Sequence, residues 1–466
     1  MEITKSVGVT KTEKLLSQLC DKTFLKLWSY SNPFKSDRKE LCDLIAVFEN
    51  HVFLFFDRSS PRFDTHNGNI HVAWTRWERD VIRRQISTAR GATRYLLNHP
   101  NQIFLGQSGE IALPIPIPSQ NIRIHRIIIA HGAKEACEHS SNNNVYGSLA
   151  ISYSDPDPDP DPKDFMIDLE RENPVHVFDS HNLEIIFNEL DTFHDFKNYI
   201  TAKEEAIKRY KCILYCGEED LLAHYFQNFD ESNRGRYYIG TRDEKAEALF
   251  IEEGIWREFI ESSSYKQKKE ASDVFSFWDK IIQDTSDCAL NGSARGNCNI
   301  FHGPTAIHEM AKEPRFMRSQ LSKYMINAIE SFPKNISGTY RQLTLMRSLS
   351  EEKAYVFLQV SDPNIGDYDS DYRPKRQELL EDACGVAKNK FPYLKKVVGI
   401  AIDAPKFSQR NSVDLLLMDC EDWPDERRIH FEQANSRRGI FESNSLRETV
   451  IRISDLPVKM IEDHQQ

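Results

Sequence analysis

No stretch of this 466-residue chain approaches the ~18–20 consecutive apolar residues that a membrane span needs, and the mean hydropathy is −0.56, so no membrane association is expected. Cysteine is scarce. Nine scattered residues exclude a disulfide scaffold and leave reduced, mostly buried thiols as the expectation. Glycine (19) and proline (20) are too few for collagen or for wholesale disorder. Basic residues are outnumbered, 60 Lys and Arg against 71 Asp and Glu, for a net charge of −11. A general polyanion binder is thereby excluded, and any nucleic-acid contact must come from a local patch. The opening Met-Glu-Ile-Thr-Lys-Ser has no apolar segment or small-residue cleavage site, so a cytoplasmic protein is expected, not a secreted one. What is present is ample: 40% hydrophobic residues can bury the cores of roughly two to four domains.

Residues 1–24 place Leu15, Leu16 and Leu19 on one side and predict an amphipathic helix. A helix–strand–strand–helix unit is expected next. The runs 41–48 and 51–57 are apolar and rich in β-branched and aromatic residues, which predicts two buried strands joined by a tight hairpin at Glu49-Asn50. A long helix is predicted from Trp74 to Leu97, before His99-Pro100. Strands are expected over 122–130, 145–153 and 175–178. Between the last two, the alternating tract Asp155 to Pro162 predicts a stiff, solvated polyproline-like loop. Helical periodicity dominates 185–350, and a final α/β stretch sets strands 354–358, 397–402 and 413–417 around a helix over 375–388. The expected class is α/β (α+β). Four parts are expected: an α/β domain over 1–110, a β-rich segment over 111–190, a mainly helical region over 191–350 and an α/β region over 351–466.

Several chemistries have no support. There is no Gly-x4-Gly-Lys-Ser/Thr phosphate loop and no Gly-x-Ser-x-Gly elbow, and His308-Glu309 is followed by Lys312 where a zincin needs its second histidine. Cys288, Cys298, His302 and His308 fall within 21 residues but match no common zinc-ligand spacing. Cys212 with Cys216, and Cys137 with His139, are isolated pairs that read as ordinary buried or loop residues.

The strongest constellation lies in residues 36–97. Glu40 ends a polar segment, Asp43 follows near the start of a buried strand, Asp57-Arg58 ends the adjoining strand, and Gln85 lies in the next helix. A carboxylate at a strand end is costly to bury unless it binds something, and a divalent metal is the commonest answer. Hydrated strand caps are the plainer alternative. The order of helix Glu, strand Asp, hairpin, acidic strand end and helix Gln resembles the PD-(D/E)XK, restriction-endonuclease-like superfamily over about residues 25–110. That resemblance implies a nuclease-like N-terminal domain in which Asp43 and Asp57 hold Mg²⁺ (or Mn²⁺) with Glu40 as a further ligand. It implies that Arg58 takes the place of the superfamily's lysine and that Gln85 orients water or a carboxylate. The wider chain is also similar to bacterial proteins built around such a domain, many with suspected anti-phage roles.

The hairpin register decides how complete such a site is. A two-residue turn pairs residues whose numbers sum to 99, which sets Asp43 opposite Phe56 on a face shared with Arg58. A three-residue turn with a bulge sets Asp43 opposite Asp57 and leaves the cation off that face. Arginine in place of lysine stays protonated and forks toward phosphate instead of acting as a compact point charge. On the following helix, Arg76, Arg79, Arg83, Arg90 and Arg94 fall within a stripe about 60° wide, while Gln85 lies among Val81, Ala89, Ala92 and Leu96 on the apolar arc. The stripe is a candidate phosphate-backbone contact. Elsewhere, Glu218-Glu-Asp220 reads as helix N-terminal acids, Glu313, Arg315 and Arg318 as surface ion pairs, and Asp403 with Asp414 as a weaker second candidate site. Metal-dependent phosphodiester hydrolysis, in a role in anti-phage defence, is the first expectation. A nuclease fold that only binds nucleic acid or a protein is the alternative. Expected partners are nucleic acid, DNA ahead of RNA, then a protein or a second copy of the chain.

Overall fold

The computed structural model describes residues 6, 8–59, 69–140, 148–155, 163–230, 236–263, 265, 266, 269, 277–290, 303–336, 338–362, 372–407 and 412–441. The chain divides into two compact units, residues 4–266 and 267–466, each of mixed α/β construction. Among the described residues, no helix is long and apolar enough to cross a membrane.

The first unit opens with helix α1 (Lys11–Thr23), which starts where a capping box allows: Thr10 accepts from the Glu13 N–H and the Glu13 side chain reaches back to the Thr10 backbone. Strands β1 (Ser29–Ser31), β2 (Phe34–Lys35), β3 (Leu44–Phe48) and β4 (His51–Ser59) follow. Phe48 pairs with His51 and Ala46 with Phe53, so the hairpin has the two-residue turn and the register summing to 99. Glu49 turns the chain at a φ of 53°, a left-handed conformation that an L-residue adopts at some cost. The helical crossover comprises α2 (Ile70–Trp77), a π-helical turn over Glu78–Arg83 and α3 (Arg84–Asn98), and then β5 (Ile103–Phe104) pairs with β2. The π turn shifts the helical phase, so spacing arithmetic across residues 76–94 does not describe one continuous face.

Strand β6 (Arg123–His131) adds parallel to β4. After α4 (Lys134–Ser140), β7 (Ala150–Ser154) and β8 (Met166–Glu170), strand β9 (His176–Asp179) adds parallel to β6. The resulting order is β1-β3-β4-β6-β9, with β3 antiparallel to both neighbours. Residues 111–190 are therefore no separate segment: two of their strands complete the sheet begun by β1, β3 and β4. The rest of this unit is α5 (Asn182–Glu189), α6 (Phe193–Arg209), β10 (Cys212–Cys216), α7 (Glu218–Gln227), the short pair β11 (Phe229–Asp230) and β12 (Arg236–Tyr237), β13 (Ala248–Ile251) and α8 (Ile255–Glu261). A second sheet runs β13-β10-β7-β8. Val52 through Phe56 are all at most 2% exposed, as strands covered on both faces require. One face meets an aromatic cluster in which the Phe24 ring lies 5.1 Å from Phe53 and 5.3 Å from Phe196. Trp74 and Trp77 stack at 5.2 Å, and the Trp77 indole donates to the His131 carbonyl.

The second unit carries a four-stranded sheet, β14 (Tyr340–Arg347), β15 (Lys353–Ser361), β16 (Lys396–Asp403) and β17 (Val413–Asp419), in that order. Its neighbours are antiparallel, parallel and antiparallel in turn. The crossover helix Tyr372–Lys390 covers the sheet, and Gly385 sits where a Cβ would collide with the Phe431 ring of the helix Asp425–Arg438. Glu313 and Arg318 are interior groups here, not surface ion pairs, at 2% and 1% exposed. Arg318 donates to Asp279 and to the Glu313 and Ala311 carbonyls, and Lys353 and Tyr355 reach Glu313.

Candidate functional site

Asp43 stands at the irregular entry to β3. Leu44 pairs with Phe55, yet the Asp43 N–H also donates to the Phe55 carbonyl at 3.0 Å, so two residues face one. This bulge lets the Asp43 carboxylate turn toward β4 and accept the Asp57 N–H at 2.6 Å. The two-residue register therefore does not keep Asp43 away from Asp57. Asp57 is buried, its side chain 3% exposed; Oδ2 accepts from the Thr12 hydroxyl and Oδ1 faces His131 Nε2, both at 2.5 Å. Asp57 and His131 share a face because β4 and β6 run in parallel register, with Asp57 beside Ile129. Glu40 is exposed and accepts from Asn32 Nδ2 at 2.6 Å.

Burial raises the Asp43 carboxyl to about 7, opposed by the Asp57 N–H and reinforced by Glu40, Asp57 and Glu13. Glu13, Glu40 and Asp57 thus each lie close enough to repel the Asp43 carboxylate. Among the described residues, none of the four forms an ion pair with lysine or arginine. The ligand oxygens of Glu40, Asp43 and Asp57 do not all come within 4.8 Å of one another, a spacing that among the described residues is met by His125, His176 and Glu204.

The other expected site residues are spread more widely. Arg58 is exposed and alternates to the face opposite Asp57, where its charge acts on Asp80. Gln85 is half-buried in the first turn of α3. Arg79 pairs with Asp80, Arg83 with Glu78 and Arg90 with Glu170 of β8, so acids from two elements compensate much of the stripe. Arg76 and Arg94 are exposed and form no ion pair among the described residues.

A second polar cluster occupies the other end of the same strands. His51 begins β4, His125 lies near the start of β6 and His176 begins β9. Glu204 of α6 meets His125 Nδ1 at 2.8 Å and His176 Nε2 at 3.3 Å, while His125 Nε2 lies 2.8 Å from His51 Nδ1. Burial pushes His51 down to about 3 and lowers His176, so both are neutral. Glu204 is held well below the usual carboxylate range: burial opposes this, but the bonds to His125 and His176 outweigh it.

Asp403 and Asp414 are consumed by structure. Arg376, fully buried, bonds Asp403 at 2.6 Å and Asp414 at 2.7 Å; Tyr372 donates to the same Asp403 oxygen, Ser412 to the other, and Arg373 and Gln377 to the second oxygen of Asp414. Glu218 is likewise closed by Lys203, Tyr199 and Tyr215. Cys298, His302 and the Asp-Pro tract beyond Asp155 lie outside the described residues. Sequence reasoning missed His131, Thr12 and Glu13. The one available signal was a histidine ending the apolar run Ile127-Ile-Ile-Ala130, informative only once β6 is placed beside β4. No family model matches this chain, and neither does any curated protein or solved structure.

Proposed function

We propose that residues 4–266 hold a divalent-metal-dependent phosphodiesterase centre acting on nucleic acid, DNA ahead of RNA. The observation that carries this reading is the approach of Glu13, Glu40 and Asp57 to Asp43 without a lysine or arginine counter-ion; burial first, and these acids after it, leave Asp43 half-protonated near neutral pH. Carboxylate oxygens are the donors that Mg²⁺ or Mn²⁺ takes, so the residues present suit such an ion in kind. In this reading Asp43 and Asp57 hold it with Glu40 alongside, and when bound it supplies Lewis-acid stabilisation of phosphoryl charge and a more acidic water. His131 and Thr12 fix the Asp57 carboxylate, while Arg58 lies on the opposite face of β4 and stands outside the carboxylate cluster. The test is cleavage of double-stranded DNA, single-stranded DNA and RNA by the full chain with Mg²⁺ or Mn²⁺, alongside calorimetry of metal binding. Absence of both cutting and metal binding at Asp43 sinks the enzyme reading.

A second reading, a module of the same fold that binds without cutting, is favoured by one observation: both oxygens of Asp57 are already bonded. Both readings use the arginine-bearing helices, and the ion pairs divide the arginines. Replacing Arg76 and Arg94 together by glutamine should lower the log–log salt slope of DNA binding by roughly 1.8, two phosphate contacts at ~0.9 each. Replacing the acid-paired Arg79, Arg83 and Arg90 should weaken binding less per residue. A slope unmoved by either set returns the helices to ordinary solvated surface.

A further inference from the structure

We propose that His125, His176 and Glu204 hold a zinc ion that fastens α6 to the amino-terminal ends of β6 and β9. The site is separate from the carboxylate cluster and independent of the function read from it: His131 lies six positions beyond His125 on β6, about 20 Å along the strand.

Donor chemistry selects the metal. Two imidazole nitrogens and one carboxylate oxygen suit zinc, whereas Mg²⁺ favours oxygen ligands and water. The spacing agrees. Bonds of ~2.0–2.1 Å in a tetrahedron set neighbouring ligand atoms about 3.3 Å apart. Glu204 Oε1 lies 2.8 Å from His125 Nδ1 and 3.3 Å from His176 Nε2, so small displacements admit the ion. Each ligand stands on a strand or helix, and both imidazoles are fully buried. The Glu204 side chain is 20% exposed, which leaves a side open for entry and for a water as fourth ligand. Behind His125, His51 Nδ1 takes the second ring nitrogen at 2.8 Å. A histidine ligand needs such a partner to fix its tautomer and orientation. A hydrogen-bonded clamp, with Glu204 accepting from His125 and His176, is the competing account of the same distances.

The experiment titrates the metal-stripped full chain with Zn²⁺ against a chromophoric chelator and repeats the titration with Co²⁺. The expected result is one ion per chain, four-coordinate visible bands without thiolate charge transfer, and a melting temperature that climbs with Zn²⁺ concentration. Glu204→Gln is near-isosteric at a side chain that is 20% exposed, so it keeps the fold. It should weaken Zn²⁺ binding by more than the ~10–100-fold expected for His51→Asn, which removes only the partner behind a ligand. His176→Gln should do the same, with circular dichroism checking its fold. Asp43→Asn should leave Zn²⁺ binding unchanged, which separates this site from the carboxylate cluster. Undetectable Zn²⁺ binding, a cobalt spectrum dominated by thiolate, or a folded Glu204→Gln that binds as tightly as the parent overturns the proposal in favour of the clamp.

Discussion

Asp43→Asn should reduce Mg²⁺- or Mn²⁺-dependent phosphodiester cleavage by about 10³-fold while residues 4–266 stay folded. Asparagine keeps an oxygen to accept the Asp57 N–H, so the bulge at the entry to β3 retains its closing bond. It loses the charge a divalent ion needs. The same substitution has a signature in stability. The Asp43 carboxyl is raised from 3.8 to about 7, so the folded chain binds that proton more tightly than the unfolded chain. The stability this provides is complete below about pH 4 and is lost as pH rises through 7. At ~1.4 kcal/mol per unit, ionised Asp43 costs up to about 4 kcal/mol at pH 8. The advantage of Asp43→Asn in melting temperature should therefore grow between pH 4 and pH 8, and Mg²⁺ at pH 8 should stabilise the parent more than the variant. Cleavage as fast in the variant as in the parent would move the chemistry elsewhere. A stability difference flat across this range would mean that Asp43 is not held in its neutral form.

Arg376→Met should destabilise the second unit by about 3–5 kcal/mol, because Asp403 and Asp414 are then left buried without their main partner. For a unit near 200 residues that is a fall of about 10 °C in its thermal transition. The Arg376 side chain is 0% exposed, Asp403 4% and Asp414 1%, so water cannot take the place of the lost guanidinium. Adding Asp403→Leu and Asp414→Leu to Arg376→Met should recover most of the loss, since a buried ion network is often no more stable than apolar groups of similar volume. If the single variant melts as the parent does, the network is more hydrated than its burial indicates. If the triple variant is no better than the single, the hydrogen bonds from Tyr372 and Ser412 contribute more than the charges.

Local pattern carried the hairpin a long way. The apolar runs flanking Glu49-Asn50 specify two buried strands, but because both faces are apolar it is the two-residue turn, not alternation, that fixes every pair from Leu44–Phe55 to Phe48–His51. Helices α1, α6 and the crossover helix Tyr372–Lys390 were legible for the same reason, as apolar stripes at helical spacing. Strands β10 and β13 were not: five and four residues of apolar sequence, embedded among helices, carry no period of their own. The stripe from Arg76 to Arg94 was drawn on an ideal helix, and the π turn together with Glu78, Asp80 and Glu170 changed both its phase and its charge.

Sequence alone determined that Asp43 and Asp57 lie near one strand end. Tertiary structure decided what they meet there. The bulge at Asp43 is one extra residue in a ladder and leaves no mark in composition. Parallel pairing brings His131 to Asp57 across 74 positions and His176 to the start of β6 near His125, where helix α6 adds Glu204 across 79. Parallel neighbours are joined only through long crossovers, so no local spacing records which residues they set side by side.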